Sequence, residues 1–283
     1  MSCPVVFLHV GNSSYLQHTI PQAVKWENNT ILLGDSSNQH LSSKDISYYP
    51  IGQHMDGVEL FAKRYIHMHP GHVNFELLCY TRWIILANYA YANSINNLVY
   101  LDSDTMTFCN YEEKQNLLGA YETAALCIPN KQDEYRLTAS GCISYWTLDG
   151  LMKFKDFLLN AYIDTKYLTK LKEKAHYHQS NNIPGGVCDM TLVYLFSQQH
   201  NVRSINRVFG DNSTFDQNIF DSENDMGNEY DLTEHGFKNY IFRNKIPFCY
   251  NNILNKDVRI NASANFANTE KNPLAIHRYQ KQY

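Results

Sequence analysis

The sequence of 283 residues lacks the features that mark several specialised classes of protein. It has no excess of positive charge, because 24 Lys and Arg stand against 28 Asp and Glu for a net charge of −4. A nucleic-acid partner or a basic membrane-docking face is therefore not expected. No stretch reaches 18 apolar residues, so the sequence predicts no integral membrane segment. The first residues carry no basic region and only a short apolar run, which argues against a signal peptide and favours a cytoplasmic location.

Paired cysteines are also missing. The seven cysteines form no Cys-x-x-Cys motif, and their number is odd. Several stand inside apolar runs, as Cys79 and Cys127 do, so buried reduced thiols are expected. Glycine is sparse at 13 residues, whereas the chain holds 30 Asn and 21 Tyr. Surfaces rich in Asn and Tyr suit neutral ligands that carry hydroxyl groups, but a high Asn content also follows from genome composition, and both interpretations stay open.

Short apolar runs alternate with helical patterns through the first two-thirds of the chain, which predicts an α/β fold with a mostly parallel sheet flanked by helices. Strands are expected at residues 4–10, 30–33, 97–101, 142–146 and 202–205. Helices are expected at residues 15–26, 57–66, 74–93, 148–171 and 189–199, with Asn74 as an N-cap and a break near Asp164. Residues 36–53 look like a loop, as does the segment around His176 and His178. Beyond residue 210 the pattern weakens into a loop-rich part with short strands near 240 and 246–250.

Polar residues follow three of the predicted strands. They are Gly11-Asn12, Gly34-Asp35 and Asp102-Ser103-Asp104. Because ligands of parallel α/β sheets bind beyond the carboxyl ends of the strands, these residues should share one edge.

The triplet Asp102-Ser103-Asp104 places two carboxylates on the same side of extended backbone. Two such groups repel each other unless a cation lies between them. Hard oxygen ligands suit Mg²⁺ or Mn²⁺ and leave coordination positions for phosphate oxygens. A solvated turn with two capping aspartates is the alternative interpretation of the same triplet.

Five segments, in this order, resemble the metal-dependent, nucleotide-sugar glycosyltransferases of the GT-A fold, of the kind that elongate surface glycans and capsules. The segments are Phe-Leu-His-Val-Gly-Asn-Ser-Ser-Tyr-Leu near the start, Phe-Glu-Leu-Leu-Cys-Tyr-Thr-Arg-Trp with Val-Tyr-Leu-Asp-Ser-Asp, Ser-Gly-Cys-Ile-Ser-Tyr-Trp, Cys-Asp-Met and Ala-Ile-His. The resemblance spans residues 5 to 277. It implies a GT-A-like, Rossmann-type sheet in a single domain over residues 1–283, with a nucleotide-binding half at 1–110 and an acceptor-binding half at 111–283.

The resemblance also implies roles for individual residues in moving a sugar from a nucleotide donor, a UDP-sugar, to a hydroxyl of a glycan acceptor. Asp104 would hold a divalent ion directly, Asp102 would hold it through water or hold the ribose, and His277 would be a nitrogen ligand. One imidazole suits Mn²⁺ better than Mg²⁺. Asp189 would deprotonate or orient the acceptor hydroxyl. The implied donor-binding residues are Gly11, Asn12, Asp35, Arg82, Asp102, Ser103 and Gly141.

Arg82 stands on a mostly apolar helical segment, where a charge needs a partner. It either contacts the donor or supports the Asp102 loop, or it forms an internal ion pair with an acid such as Asp102 or Glu76. Trp83 beside it is expected in the core.

Other functions remain open at this point. His67, His69 and His72 have the spacing of the metallo-β-lactamase type of zinc hydrolase, although that pattern's Asp is replaced by Gly71. Asp102-Ser-Asp104-Thr resembles haloacid-dehalogenase-like phosphatases, which carry the motif near the amino terminus. A nucleotide- or glycan-binding module without catalysis is the third alternative.

Overall fold

The computed structural model describes residues 3–267. Twelve strands lie within this part: β1 (Val5–Leu8), β2 (Thr30–Gly34), β3 (Ile46–Pro50), β4 (Asn97–Leu101), β5 (Met106–Thr107), β6 (Ala124–Cys127), β7 (Ser140–Thr147), β8 (Val202–Ser204), β9 (Ser213–Asp216), β10 (Ile241–Arg243), β11 (Ile246–Asn251) and β12 (Lys256–Ser263). Seven α-helices lie within it: α1 (Leu16–Lys25), α2 (Val58–Arg64), α3 (Val73–Ala92), α4 (Tyr111–Leu118), α5 (Leu148–Ala161), α6 (Thr165–Ser180) and α7 (Asp189–Ser197).

The main sheet has seven strands in the order β3-β2-β1-β4-β7-β6-β8. The strands β3, β2, β1 and β4 run parallel, and β6 runs parallel to β8. Only β7 runs antiparallel to its neighbours β4 and β6. The prediction of an α/β fold with a mostly parallel central sheet is confirmed.

Helices cover both faces of this sheet, since its central strands are apolar on both sides. One core packs α3, α5 and α7 on the sheet through large rings such as Trp83, Trp146 and Phe154. The other core lies on the face of α1 and α4 and includes Phe7 and Tyr145. The burial of both faces explains why the strands read as continuous apolar runs in the sequence.

A second sheet of order β10-β11-β12-β5 forms beyond residue 210, with β9 pairing parallel to β12. Its last link is the pairing of β12 with β5, the short strand that follows the Asp-Ser-Asp triplet. The strands expected near 240 and 246–250 are β10 and β11, but the eight-residue β12 was not predicted. The part expected to be rich in loops is thus tied to the central sheet next to Asp104.

Three local expectations were wrong. Residues 46–50 form the edge strand β3, where Pro50 is tolerated because an edge strand has an unpaired side. His176 and His178 belong to α6, which begins after the break that Asp164 caps by accepting from Lys166 N. His72 caps α3 by accepting from the backbone N–H of Asn74, so Asn74 is not the cap.

Candidate active site

A cavity of about 270 Å³ opens at the carboxyl ends of β1 and β4. Its walls come from the chain after β1, from the Asp-Ser-Asp triplet after β4, from Tyr15, and from the first half of α3. The lining residues are Leu8, His9, Val10, Tyr15, Phe75, Leu78, Cys79, Arg82, Tyr100, Asp102, Ser103 and Asp104. Asp102, Ser103 and Asp104 therefore face one space together with Arg82, at the edge where a parallel sheet binds its ligands.

Gly11 and Asp35, which follow β1 and β2, are joined by a hydrogen bond from the Gly11 N–H to Oδ2 of Asp35 at 2.9 Å. Gly11 has a φ of 96°, a left-handed conformation that favours glycine. The hydroxyl of Ser37 above all, and then the N–H groups of Gly11 and Ser37, lower the pKa of Asp35. Asp35 is thus a carboxylate at neutral pH. Asn12 follows in the same turn and is exposed.

His9 links the end of β1 to the Asp-Ser-Asp triplet, because its Nδ1 lies 2.9 Å from Oγ of Ser103. Burial lowers the pKa of His9, and the charge of Asp35 opposes that effect only in part. Nε2 of His9 is buried and has no hydrogen-bond partner among residues 3–267. The wall of the cavity therefore carries a polar atom that the described protein does not satisfy.

Arg82 connects the two acidic residues to which the sequence assigns chemistry. It donates from one terminal nitrogen to Oδ1 of Asp102 at 2.6 Å and from the other to Oδ2 of Asp189 at 2.7 Å. Asp102 follows β4 and Asp189 begins α7, so the guanidinium of Arg82 links the end of β4 to the start of α7. Burial by itself lowers the pKa of Arg82, but Asp102 first, and then Tyr100 and Asp189, raise it well above its ordinary value. The guanidinium is a permanent cation here.

This geometry combines the two interpretations of Arg82. Arg82 forms the internal ion pair with Asp102 that one alternative predicted. Its second partner is Asp189 and not Glu76. Arg82 also lines the cavity and supports the loop that carries Asp102. The side chain of Arg82 is 14% exposed, so it reaches the cavity from a nearly buried position.

Asp189 is buried at the first position of α7, where the helix dipole favours a negative charge. Its Oδ2 accepts from Arg82 and also from Nε1 of Trp83 at 3.1 Å. Trp83 is a core residue, as expected, and has this polar contact as well. Asp189 is not among the residues that line the 270 Å³ cavity. Its catalytic role stays a prediction.

Gly141 lies inside β7 against the indole of Trp83. A Cβ at this position would lie 2.3 Å from Cη2 of Trp83, closer than any ordinary contact. The absence of a side chain at 141 is therefore required by the ring that holds Asp189. The contact between Gly141 and the donor sugar stays a prediction.

Of the metal site predicted from Asp102, Asp104 and His277, the structure describes only the two aspartates. Asp102 and Asp104 face the same cavity and supply hard oxygen donors, which fits a divalent cation. His277 lies outside the described residues. Within residues 3–267 no cluster of three His, Cys, Asp or Glu residues has the arrangement of a metal site.

The three histidines of the zinc-hydrolase interpretation form hydrogen bonds to residues of their own segment, 65–76. His67 pairs its Nδ1 with the hydroxyl of Tyr65 at 2.8 Å, and His72 caps α3. His69 uses Nδ1 towards the N–H of Gly71 and towards Glu76, whose Oε1 lies 2.9 Å away. Burial first, and then the charge of Asp189, raise the pKa of Glu76 to about 7.

Two further cavities lie side by side along the carboxyl half of α6 and the loop before α7, with volumes of about 700 and 430 Å³. His69 and His178 line both, together with the loop residues 183–186. Cys188 and Met190, the two neighbours of Asp189, line the smaller one. Because the two cavities share these lining residues, they form a groove beside α6 that reaches the two chain neighbours of Asp189.

The sequence did not single out His9, Tyr15 or Tyr100 as site residues. Tyr100 donates its hydroxyl to Oδ1 of Asp102 at 3.0 Å and stands two residues before it in β4. That alternation was available as a signal, because residues two apart on a strand share a face. The contact of His9 with Ser103 spans 94 positions in the chain, and no local pattern announces it.

No helix among the described residues is long and apolar enough to cross a membrane.

No protein-family model matches the sequence, and no curated protein matches it. Among solved structures, the chain is similar to mouse xyloside xylosyltransferase 1 in its apo form, with 9% identity, a TM-score of 0.46, and coverage of 71% of this chain and 83% of that chain. It is similar to the galactosyltransferase LgtC in complex with donor and acceptor sugar analogs, with 12% identity, a TM-score of 0.42, and coverage of 72% and 73%. It is also similar to the bifunctional glycosyltransferase WbbM, with 12% identity, a TM-score of 0.42, and coverage of 79% of this chain and 40% of that chain. At these TM-scores the likeness carries no argument about activity, which has to come from the residues of this chain. These three structures are glycosyltransferases, the class that the sequence motifs resemble.

Proposed function

We propose that this protein is a metal-dependent glycosyltransferase, a hexosyltransferase that moves a sugar from a UDP-sugar to a hydroxyl of a glycan acceptor. The observation that carries the proposal is the meeting of Asp102, Ser103 and Asp104 with the cation Arg82 around one cavity at the carboxyl edge of the sheet. Such an edge suits a phosphorylated ligand. The single-domain arrangement, with donor binding in residues 1–110 and acceptor binding in 111–283, is part of the proposal.

The donor is held by the ends of β1, β2 and β4. Gly11 and Asn12 lie in the turn after β1, and Asp35 follows β2 and bonds to that turn. In this arrangement the nucleoside lies against the Gly11–Asp35 side and the diphosphate against the triplet. Ser103 offers a hydroxyl whose orientation is fixed by His9.

The donor set at the triplet suits Mn²⁺ or Mg²⁺, with Asp104 as the direct ligand. Asp102 would bind the ion through water or hold the ribose, because Oδ1 of Asp102 already accepts from Arg82 and Tyr100. The backbone N–H of Ala267 donates to the carbonyl of Asp104 at 3.0 Å, so the chain stands at the site ten residues before His277. Ten residues span at most about 33 to 36 Å, which keeps His277 within reach as a ligand. When bound, the ion supplies positive charge to the leaving diphosphate.

The acceptor approaches along the groove beside α6 and meets Asp189. The carboxylate of Asp189 takes up or orients the proton of the attacking hydroxyl, and Arg82 holds that carboxylate in place. His178 lines the groove, with its two ring nitrogens facing the carbonyl oxygens of Pro184 and Tyr135. Breaking the bond to the diphosphate develops negative charge on the leaving group, and Arg82, which bonds to Asp102, supplies a fixed positive charge beside the triplet.

The proposal is tested by thermal-shift measurements with UDP and with UDP-glucose, UDP-galactose and UDP-N-acetylglucosamine, each with and without Mn²⁺. A ligand that binds the folded state raises the melting temperature. We expect the largest shift for one UDP-sugar together with Mn²⁺. Release of UDP from that donor is then measured with and without neutral oligosaccharide acceptors.

A shift with UDP and Mn²⁺ but no hydrolysis and no transfer across the panel would favour the nucleotide-binding module. Phosphatase activity on simple phosphate esters, lost in Asp102→Asn, would favour the haloacid-dehalogenase-like alternative. The zinc-hydrolase alternative predicts zinc-dependent hydrolysis that is lost in His67→Ala.

His277→Ala tests the ligand that lies outside the described residues. If His277 binds the ion, the substitution weakens Mn²⁺ affinity more than it weakens UDP affinity measured without metal. Isothermal titrations of each ligand give the two losses. Equal losses would count against ligation by His277.

A further inference from the structure

A separate cavity of about 440 Å³ lies at the amino edge of the same sheet. It is bounded by the starts of β1, β2 and β4 and by the turn that follows α3. Its lining residues are Cys3, Pro4, Asn29, Ile31, Ser47, Tyr49, Tyr89, Asn93, Ser94, Ile95, Asn96, Asn97 and Gln115. The carboxyl edge with Asp104 lies at the other ends of these strands, so the two cavities are separate sites.

The lining of this cavity contains no Asp, Glu, Lys, Arg or His. It contains five side-chain amides instead. Those of Asn29, Asn96 and Asn97 make no hydrogen bond to other residues of the described chain, and all three residues are exposed. An amide offers two donors and an acceptor with two lone pairs, which is the pattern that matches sugar hydroxyls.

Aromatic surface completes the cavity. The rings of Tyr49 and Tyr89 lie 5.0 Å apart between centroids and tilted by 59°. Tyr89 is buried, whereas Tyr49 is half-buried. Tyr49 therefore offers an apolar ring beside free amides, and pockets for small ligands combine apolar walls with a few polar groups in this way.

The fold holds these groups in place. Helix α3 ends at Ala92, and the N–H of Ile95 returns to the carbonyl of Ala90 at 2.9 Å. The carbonyl of Asn96 accepts from the N–H of Leu148, which pins the turn to the start of α5. The amides of Asn96 and of Asn97, the first residue of β4, thus extend from a fixed backbone, and little backbone entropy is lost when a ligand binds.

We propose that this cavity is a second binding site for a neutral glycan, distinct from the site of transfer. A charged ligand finds no counter-charge there, whereas a neutral polyhydroxylated ligand finds unused amides and a ring. The inference does not rest on the proposed transferase function. If the acceptor is a long glycan, occupancy of this site adds an anchor that raises its effective concentration at the enzyme.

The test is a titration of ¹⁵N-labelled full-length protein with lactose, cellobiose and N,N′-diacetylchitobiose, followed through the side-chain amide signals. We expect at least one disaccharide to shift the signals of Asn29, Asn96 and Asn97. The double variant Asn96→Asp, Asn97→Asp replaces exposed donors by carboxylates and should weaken that binding about tenfold. Asn201→Asp, an exposed position outside this cavity, is the matched control and should leave the affinity unchanged.

The same titration on Asp104→Ala separates the two sites, because the cavity should keep its affinity when transfer is lost. Absence of shifts at these amides with all three disaccharides would overturn the inference. Loss of the shifts in Asp104→Ala would overturn it as well, by placing the sugar at the transfer site. Tighter binding of lactose 3′-sulfate than of lactose at the cavity would contradict a neutral ligand. Should the double variant unfold, Asn29→Asp provides the independent test.

Discussion

The two edges of the central sheet differ in charge although the same strands form both. At the carboxyl edge, Arg82, Asp102 and Asp189 form a partly buried network of one cation between two acids. At the amino edge, the cavity with Asn96 and Asn97 has no charged residue in its lining. The charged side chains thus lie at the carboxyl edge, where parallel α/β sheets bind their ligands, and uncharged amides lie at the opposite edge.

Helix α3 runs between the two edges. It has 20 residues, about 30 Å at the rise of an α-helix, and its only charged residues are Glu76 and Arg82. Its amino-terminal half lines the charged cavity, and its carboxyl-terminal end builds the rim of the uncharged one. A substitution on α3 therefore acts on one edge according to its position along the helix.

Asp104→Ala should have the largest effect of the changes considered, and it should act only at the charged edge. Because this change removes the carboxylate that we propose as the direct metal ligand, we expect Mn²⁺-dependent transfer to fall by about a hundredfold or more. Steady-state transfer assays give the loss, and Asp45→Ala at an exposed loop position is the control. A variant that transfers sugar at the wild-type rate would show that the metal site is assigned to the wrong residue.

Arg82→Met should destabilise the fold, because it leaves Asp102 and Asp189 without their shared cation. Breaking a buried pair from one side costs about 3–5 kcal/mol. Arg82→Lys keeps one charge but has a single ammonium for two carboxylates, so its loss should be intermediate. Denaturant unfolding measures both losses.

The control for Arg82 is Arg243→Met, which breaks the surface ion pair with Asp257. That pair is exposed, with 53% of the Arg243 side chain accessible, and should be worth at most about 1 kcal/mol. If both substitutions cost the same, the network at the charged edge is no stronger than a surface pair.

Gly141→Ala should cost about 1–3 kcal/mol, since the new methyl group overlaps the indole of Trp83. Through Trp83 the change also displaces the carboxylate of Asp189. The rate of transfer by the folded variant should therefore fall as well. Gly210→Ala, where a Cβ meets nothing within 4 Å, is the control. Unfolding and transfer rates are measured on the same preparations. Equal behaviour of the two variants would contradict the packing argument.

Glu76→Gln should change how the free energy of unfolding depends on pH. The pKa of Glu76 is raised from 4.5 to about 7, so the folded state binds a proton that the unfolded state has released in that interval. Glu76 therefore lowers the stability of the wild type, relative to the variant, as pH rises from about 4.5 to 7. Melting curves across this range measure the difference. Glu59→Gln, at an exposed position, is the matched control.

Much of the fold followed from local pattern. The runs that became β1, β2, β4 and β7 are apolar and bounded by turn residues, and the break near Asp164 is a capping signal. The strands β3 and β12 were missed because an edge strand and a strand of mixed polarity carry little apolar signal of their own. These two segments become strands because they pair with the neighbouring strands β2 and β11.

The candidate site divides in the same manner. Asp102, Ser103, Asp104, Gly11 and Asp35 were placed on one edge from their positions after strands. The bridge from Arg82 to Asp189 joins residues 107 positions apart, and no spacing rule reports such a contact. His9 and the uncharged cavity were found only through the assembled sheet.

The sequence by itself determined which residues end the strands, and so which side chains stand at each edge of the sheet. Local backbone preference and the burial of apolar runs suffice for that, because both act over a few residues. Only the tertiary structure decided that Arg82 is shared between Asp102 and Asp189, and that scattered Asn residues gather around one cavity. Those outcomes depend on how strands and helices pack in space, where partners are chosen by distance and desolvation instead of by order in the chain.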